Sequence, residues 1–306
     1  MTFVRTVGQR HPKRILRKLL RDPKVPTVMF VGPEGVGKAT LAHEFAEALA
    51  EESGFGEKVR NLTCQDVHIL SPVPPIPRGP RPLEFYGSTA TIGISAIRRI
   101  KAEVVKPPIV LPYKLVIVMN VENSTTEAQN SMLKLLEEGW RRTLFILISS
   151  NPHRVLPTIR SRSLIIRFSP LTREEFAEVV GVEEPILYEV SGHSAGVAKY
   201  LLMRMGRMEE IRRVINAWKE FVFGSKTATL TLLDAFQKYG IPIIRLGYYV
   251  LREMHGDGAL SYERFRRLYE ALYDAEEGYR RRLPEPFLHV LAAWNPHPGS
   301  SQAYST

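Results

Sequence analysis

Thr27-Val-Met-Phe-Val-Gly-Pro-Glu-Gly-Val-Gly-Lys-Ala-Thr40 is the stretch on which the fold of this chain turns. After Pro26, residues Thr27 to Val31 read as a short apolar strand that ends in glycine, and Lys38 to about Ala50 continue as an alanine-rich helix. Between them Gly32 to Lys38 fit GxxxxGK, and strand, glycine loop and helix in that order are the setting in which this motif cradles phosphate. Glycines let backbone amides turn inward around phosphate oxygens, the helix N-terminus adds partial positive charge, and Lys38 reaches the terminal phosphates. The residues expected to contact nucleotide are Gly32, Gly35, Val36, Gly37, Lys38, Ala39 and Thr40.

The motif then breaks. The position after the lysine should offer a hydroxyl to magnesium, and here it is Ala39. Thr40 does not substitute, because one step along a helix rotates a side chain by roughly 100°. A hydrolysing enzyme of this kind also needs an acid at the end of a core strand. The apolar strand Tyr113 to Met119 supplies none, since it runs out into Met119 and Asn120. Glu122 is the nearest acid, three residues beyond Met119, where the chain is expected to have left the strand. Nucleotide binding is therefore left open, with ATP weakly or structurally held if at all, and productive magnesium binding is not expected.

Working outward, Thr143 to Ser149 and Leu164 to Phe168 read as two further apolar strands, and helical spacing marks Ile94 to Val104 and Thr126 to Glu138. Four strands alternating with helices predict an α/β fold with a doubly wound parallel sheet. Ahead of it, residues 12 to 21 form an amphipathic helix with Ile15, Leu16, Leu19 and Leu20 on one face. Arg10, Lys13, Arg14, Arg17, Lys18 and Arg21 recur on the other. Six prolines between Ser71 and Pro82 predict a stiff, extended surface excursion. From Thr172 helical periodicity dominates: a small helical unit to about Gly206 and a second helical domain to about Trp294 are expected, and the Pro/Ser/Gly-rich tail from Asn295 is expected to be disordered. The resulting division is 1–169, 170–206, 207–294 and 295–306.

Net charge is +10, and its placement is uneven. Residues 1–169 hold 25 lysines and arginines against 14 acids, whereas the later segments are close to balanced. A basic first segment favours a polyanionic partner, although a solvated basic face serves solubility equally well. No apolar stretch approaches a membrane span and the start lacks the apolar centre of a secretory signal, so a cytoplasmic protein is expected. The single cysteine, Cys64, excludes an internal disulfide and, even with His68, a four-ligand zinc site. No metal-ligating set is read from the sequence.

The run from Lys114 to Glu138, with Glu127-Ala-Gln-Asn130 inside it, and Leu156-Pro-Thr-Ile-Arg-Ser-Arg-Ser163 resemble the bacterial clamp-loader family of AAA+ proteins. Val7-Gly8-Gln9 and Ser191-Gly-His-Ser-Ala-Gly-Val-Ala198 extend the likeness over roughly the first 205 residues. The resemblance implies an AAA+ P-loop domain, a small helical lid domain and an all-α collar domain that joins a ring. It places Met119 and Asn120 where that family has Asp and Glu. It matches Ser161-Arg162-Ser163 to a signature whose arginine touches the ATP of a neighbouring subunit, so Arg162 is the candidate arginine finger in trans. It puts Gly196 where the hydrolysing members carry a nucleotide-contacting arginine, and it lacks their four-cysteine zinc module.

Loss of these groups with the finger retained is what the resemblance leads one to expect of a delta-prime-type subunit of the DNA polymerase III clamp loader. Such a subunit would not hydrolyse ATP itself. The implied partners are gamma/tau-type ATPases, delta, the sliding clamp and primer-template DNA, with no membrane. Two other readings stay open: an active clamp-loader ATPase of the gamma or replication-factor-C small-subunit type, and a stand-alone nucleotide- or DNA-binding protein. Phe221, Leu230, Leu232, Leu233 and Phe236 are either collar contacts or internal core.

Overall fold

The computed structural model describes residues 3–22, 26–72, 91–138, 142–280 and 290. The proline run beyond residue 72 and the tail from Asn295 lie outside the described residues. Five strands form one parallel sheet: β1 (Thr27–Val31), β2 (Val67–Leu70), β3 (Lys114–Val118), β4 (Thr143–Ser149) and β5 (Leu164–Arg167). Their order is β2-β3-β4-β1-β5, so both neighbours of β1 are reached by crossovers. The connections carry α2 (Lys38–Glu51), α3 (Gly56–Arg60), α4 (Ile94–Val104), α5 (Thr126–Glu137) and α6 (Pro157–Ser161), and α1 (Arg10–Arg21) precedes them all.

Strand side chains alternate between two cores, which is why the central strands read as unbroken apolar runs. Val28 and Phe30 of β1, Leu115 and Ile117 of β3, and Leu144, Ile146 and Ile148 of β4 pack with Leu16, Leu41 and Phe45 on one face. Met29, Val31, Val116, Val118, Phe145 and Leu147 pack with Ile97, Met132 and Leu135 on the other. The sequence reading found four strands and missed β2, an edge strand of four half-buried residues that includes His68. Just before it, the fully buried carboxylate of Asp66 accepts from the backbone N–H groups of Ile109 (2.9 Å), Val110 (2.6 Å) and Leu111 (2.9 Å), which ties the approach to β3 against the start of β2.

By contacts the chain divides into two compact units: one holds the described residues up to Glu184 together with His193–Val197, the other Pro185–Gly192 and the described residues from Ala198. The expected short unit over 170–206 is thus shared between them. One reason is that α7 (Arg173–Val180) is held to the sheet unit by its first turn: a Cβ on Gly8 would come within 2.5 Å of the Glu175 carboxylate. That turn is closed by a capping box, in which Thr172 Oγ1 accepts from Glu175 N (3.2 Å) and the Glu175 carboxylate accepts from Thr172 N (3.1 Å). Thr172→Ala is expected to lower stability by about 1 kcal/mol. Chemical denaturation reads this directly, and an unshifted midpoint would show that the cap is idle.

The second unit is all-helical among its described residues: α8 (Pro185–Val190), most of α9 (Ala195–Met205), α10 (Met208–Val222), α11 (Lys226–Tyr239), α12 (Ile241–Gly256) and α13 (Tyr262–Arg280). Trp218 centres it. Its Nε1 donates to Ile243 O (2.9 Å), and its ring lies so close to Gly247 that a Cβ there would meet it at 2.8 Å. Phe221, Leu232 and Phe236 are buried within this unit, Leu233 is half-buried, and Leu230 is exposed. Among the described residues no helix is long and apolar enough to cross a membrane.

Candidate nucleotide site and an exposed arginine

The phosphate loop leaves the carboxyl end of β1, with the ends of β4 and β5 on either side, where open α/β sheets hold their ligands. Two glycines are required by backbone geometry: Gly35 (φ 71°) and Gly37 (φ 99°) occupy the left-handed region that a side chain strains. Gln9 braces the loop from behind. Its Nε2 donates to Val36 O (3.3 Å) and Ser169 O (2.8 Å), and its Oε1 accepts from Ser169 N (3.2 Å). Gln9 belongs to the Val7-Gly8-Gln9 family likeness, but its bracing role has no signature in the sequence.

Lys38, in the first turn of α2, is buried. Its Nζ donates to Gly32 O (2.7 Å), Pro33 O (2.5 Å) and Ser150 Oγ (3.1 Å). Burial pulls its pKa down to about 8, against the opposing pull of the Glu122 and Glu34 carboxylates. Ala39 is half-buried against the α2 side of the core, and Thr40 is exposed. Gly32 to Lys38 therefore form one loop, whereas Thr40 lies beyond it as an exposed residue of α2.

At the end of β3, Met119 packs against the core and Asn120 takes a left-handed turn (φ 52°). That turn bends the chain into a short 3-10 helix, Val121–Asn123, and returns Glu122 toward the loop. Glu122 is 8% exposed, and its Oε1 accepts from Ser150 N (2.8 Å). At Glu122 the chain has left the strand, as expected, but the turn brings the carboxylate back toward Lys38. The one signal available was Asn120, a residue type that tolerates the left-handed region.

His193–Val197 also touches the loop. Gly196 N donates to Gly35 O (3.3 Å), and a Cβ on Gly196 would lie 2.9 Å from Gly35 Cα. Cys64 is buried and His68 half-buried in β2; burial, then Lys114, lowers the His68 pKa. Among the described residues no group of three or more His, Cys, Asp or Glu is placed to hold a metal ion.

Arg162 caps the C-terminus of α6, away from these groups in its bonding. Its side chain is 45% exposed, with Nη2 paired to Glu137 Oε1 (2.8 Å) and Nη1 donating to Thr158 O (3.4 Å). The segment that leads to α6 is held by the buried Gln129 of α5: its Nε2 donates to Ser124 O (3.4 Å) and Arg154 O (3.2 Å), and its Oε1 accepts from Leu156 N (2.8 Å). The basic stripe of α1 is also as expected, with Arg10, Arg14, Arg17, Lys18 and Arg21 exposed, while Lys13 turns back to donate to Thr6 O.

A parallel sheet in this order, a phosphate loop at its carboxyl edge and a helical region after it define an AAA+-like α/β protein. A DNA polymerase III gamma subunit-related protein from Thermotoga maritima shares this fold, with a TM-score of 0.53 and 19% identity, over 91% of this chain and 97% of that one. The replication factor C small subunit of Aeropyrum pernix is 30% identical over 174 residues, which are 56% of this chain and 46% of that protein. Replication factor C small subunit 2 of Pyrobaculum aerophilum is 30% identical over 231 residues, 74% of this chain and 63% of that protein. The chain spans about half the length of the first of these curated relatives. The family described as DNA polymerase III, delta subunit, matches residues 8–172, and the chain belongs to this clamp-loader family.

Proposed function

We propose that this chain is a clamp-loader subunit that does not hydrolyse ATP itself and that lends Arg162 to the active site of a neighbouring subunit. The observation that carries the reading is a mismatch: the loop lysine is in place and Arg162 is exposed, while Ala39, Met119 and Asn120 offer neither hydroxyl nor carboxylate where hydrolysis needs them. Arg162 then spreads the charge that builds on a transferring phosphoryl group, a task suited to a planar guanidinium. Other clamp-loader subunits, of gamma/tau and delta type, a sliding clamp and primer-template DNA are the partners of this reading, and the exposed basic face of α1 is suited to phosphate. ATP, where bound, serves this chain as a structural ligand.

A second reading is an active ATPase of the replication-factor-C small-subunit type. The names of the relatives favour it as to subunit type, and the return of Glu122 to the loop gives it an acid. Steady-state phosphate release by the purified chain separates the two. The first reading expects no turnover above the background of Lys38→Met; magnesium-dependent turnover lost in that variant would overturn it in favour of the second.

A further inference from the structure

We propose that Glu122 is the acid through which this chain holds a divalent cation on a bound triphosphate, in place of the carboxylates missing at positions 119 and 120. The inference rests on the reading of Gly32–Lys38 as a nucleotide loop. Three observations lead to it. Glu122 is buried, and only one of its oxygens is satisfied: Oε1 takes the Ser150 N–H, while Oε2 is buried without a hydrogen-bond partner. A buried carboxylate oxygen left bare is costly, and a cation-bound water or cation would relieve it. Second, Ser150 joins the acid to the loop, because its backbone N–H binds Glu122 and its hydroxyl accepts from Lys38 Nζ. Third, the positions after the loop lysine and at the end of β3 offer the cation little. Ala39 has no ligand atom, and Met119 offers a soft thioether packed in the core.

Magnesium suits such a sparse site. It keeps most of its water shell and is held by one or two carboxylates together with the phosphates it bridges. The bare oxygen of Glu122 is the kind of hard donor it takes. Without the cation, Glu122 meets the triphosphate as a like charge; with it, the same carboxylate becomes an attachment point. Glu122 thus makes nucleotide binding cation-dependent. Holding the cation is separate from turnover, for which the proposed function expects none, since Asn120 stands where the resemblance puts the water-polarising acid.

Calorimetric titration of ATP into the full chain, with magnesium and with a chelator, tests this. Wild type is expected to bind about tenfold more tightly with magnesium, a coupling of the usual size between two ligands. Glu122→Gln keeps the acceptor for Ser150 N–H and removes the charge, so its ratio is expected to fall to about one, partly through tighter cation-free binding. An unchanged ratio in Glu122→Gln, a wild-type ratio of one, or no ATP binding by wild type each overturns the proposal. A measurement that needs no variant is paramagnetic broadening of the Glu122 side-chain resonances by manganese in the presence of ATP; sharp resonances there overturn it too. Phosphate release in the same samples reports on the non-hydrolysing reading separately, so turnover with an intact cation ratio would end that reading and leave this one standing.

Discussion

Arg162→Ala is expected to leave the protein folded and, on the proposed finger role, to lower the ATP turnover of a reconstituted loader by about 10³-fold or more, the usual effect of removing an arginine finger. The stability half of this result follows from exposure. Arg162 and Glu137 are 45% and 43% exposed in their side chains, and such a pair contributes about 0–1 kcal/mol. The turnover half follows from chemistry: a guanidinium offered to another subunit acts only on charge that develops in the transition state, so its loss falls on the rate rather than on assembly. Arg162→Lys is expected to recover little, because an ammonium cannot span two phosphate oxygens in the same plane. Phosphate release with clamp and primed DNA measures the effect. Wild-type turnover by the alanine variant would remove Arg162 from the mechanism.

Lys38→Met is expected to weaken ATP binding about 100-fold, from the loss of several charge-assisted hydrogen bonds, while raising the denaturation midpoint of the empty protein at neutral pH. The opposite signs have one cause. Burial lowers the Lys38 pKa from 10.5 in the unfolded chain to about 8 in the folded one, so below pH 8 the fold carries the full cost of an enclosed charge. That cost fades as pH rises from about 8 to 10.5, and stability from this residue improves across the same window. Methionine removes the cost altogether and fills the space. ATP binding by wild type should run the other way with pH: level below about 8, then falling by up to tenfold per unit as the free lysine loses its proton. Titrations across pH 7 to 10 check this, and an affinity insensitive to pH in that range would show that the lysine does not meet the phosphates.

Much of the first unit was legible because its signals are local. Residues 27–40 carry strand, loop and helix in one unbroken stretch, and β3 and β4 are buried on both faces, so their composition alone marks them. What was not legible depends on distant partners. Strand β2 is short, half-buried and held by pairing with β3 rather than by its own pattern. Glu122 looked stranded because helix and strand spacing cannot express a left-handed turn at Asn120. Gln9 and Gln129 act through backbone groups far along the chain, which no spacing rule reaches. Arg162 was found by family likeness; from its neighbours alone it is an exposed arginine beside an acid.

The close approach of Gly196 to Gly35 limits what this position can accept. The family resemblance implies an arginine at the position of Gly196 in hydrolysing members, yet here any side chain would begin 2.9 Å from the Gly35 Cα, tighter than real carbon contacts tolerate. Gly196→Arg is therefore expected to displace the helix start rather than to set a guanidinium against the loop. Where two backbones touch this closely, accommodating any larger residue at position 196 requires rebuilding two segments at once.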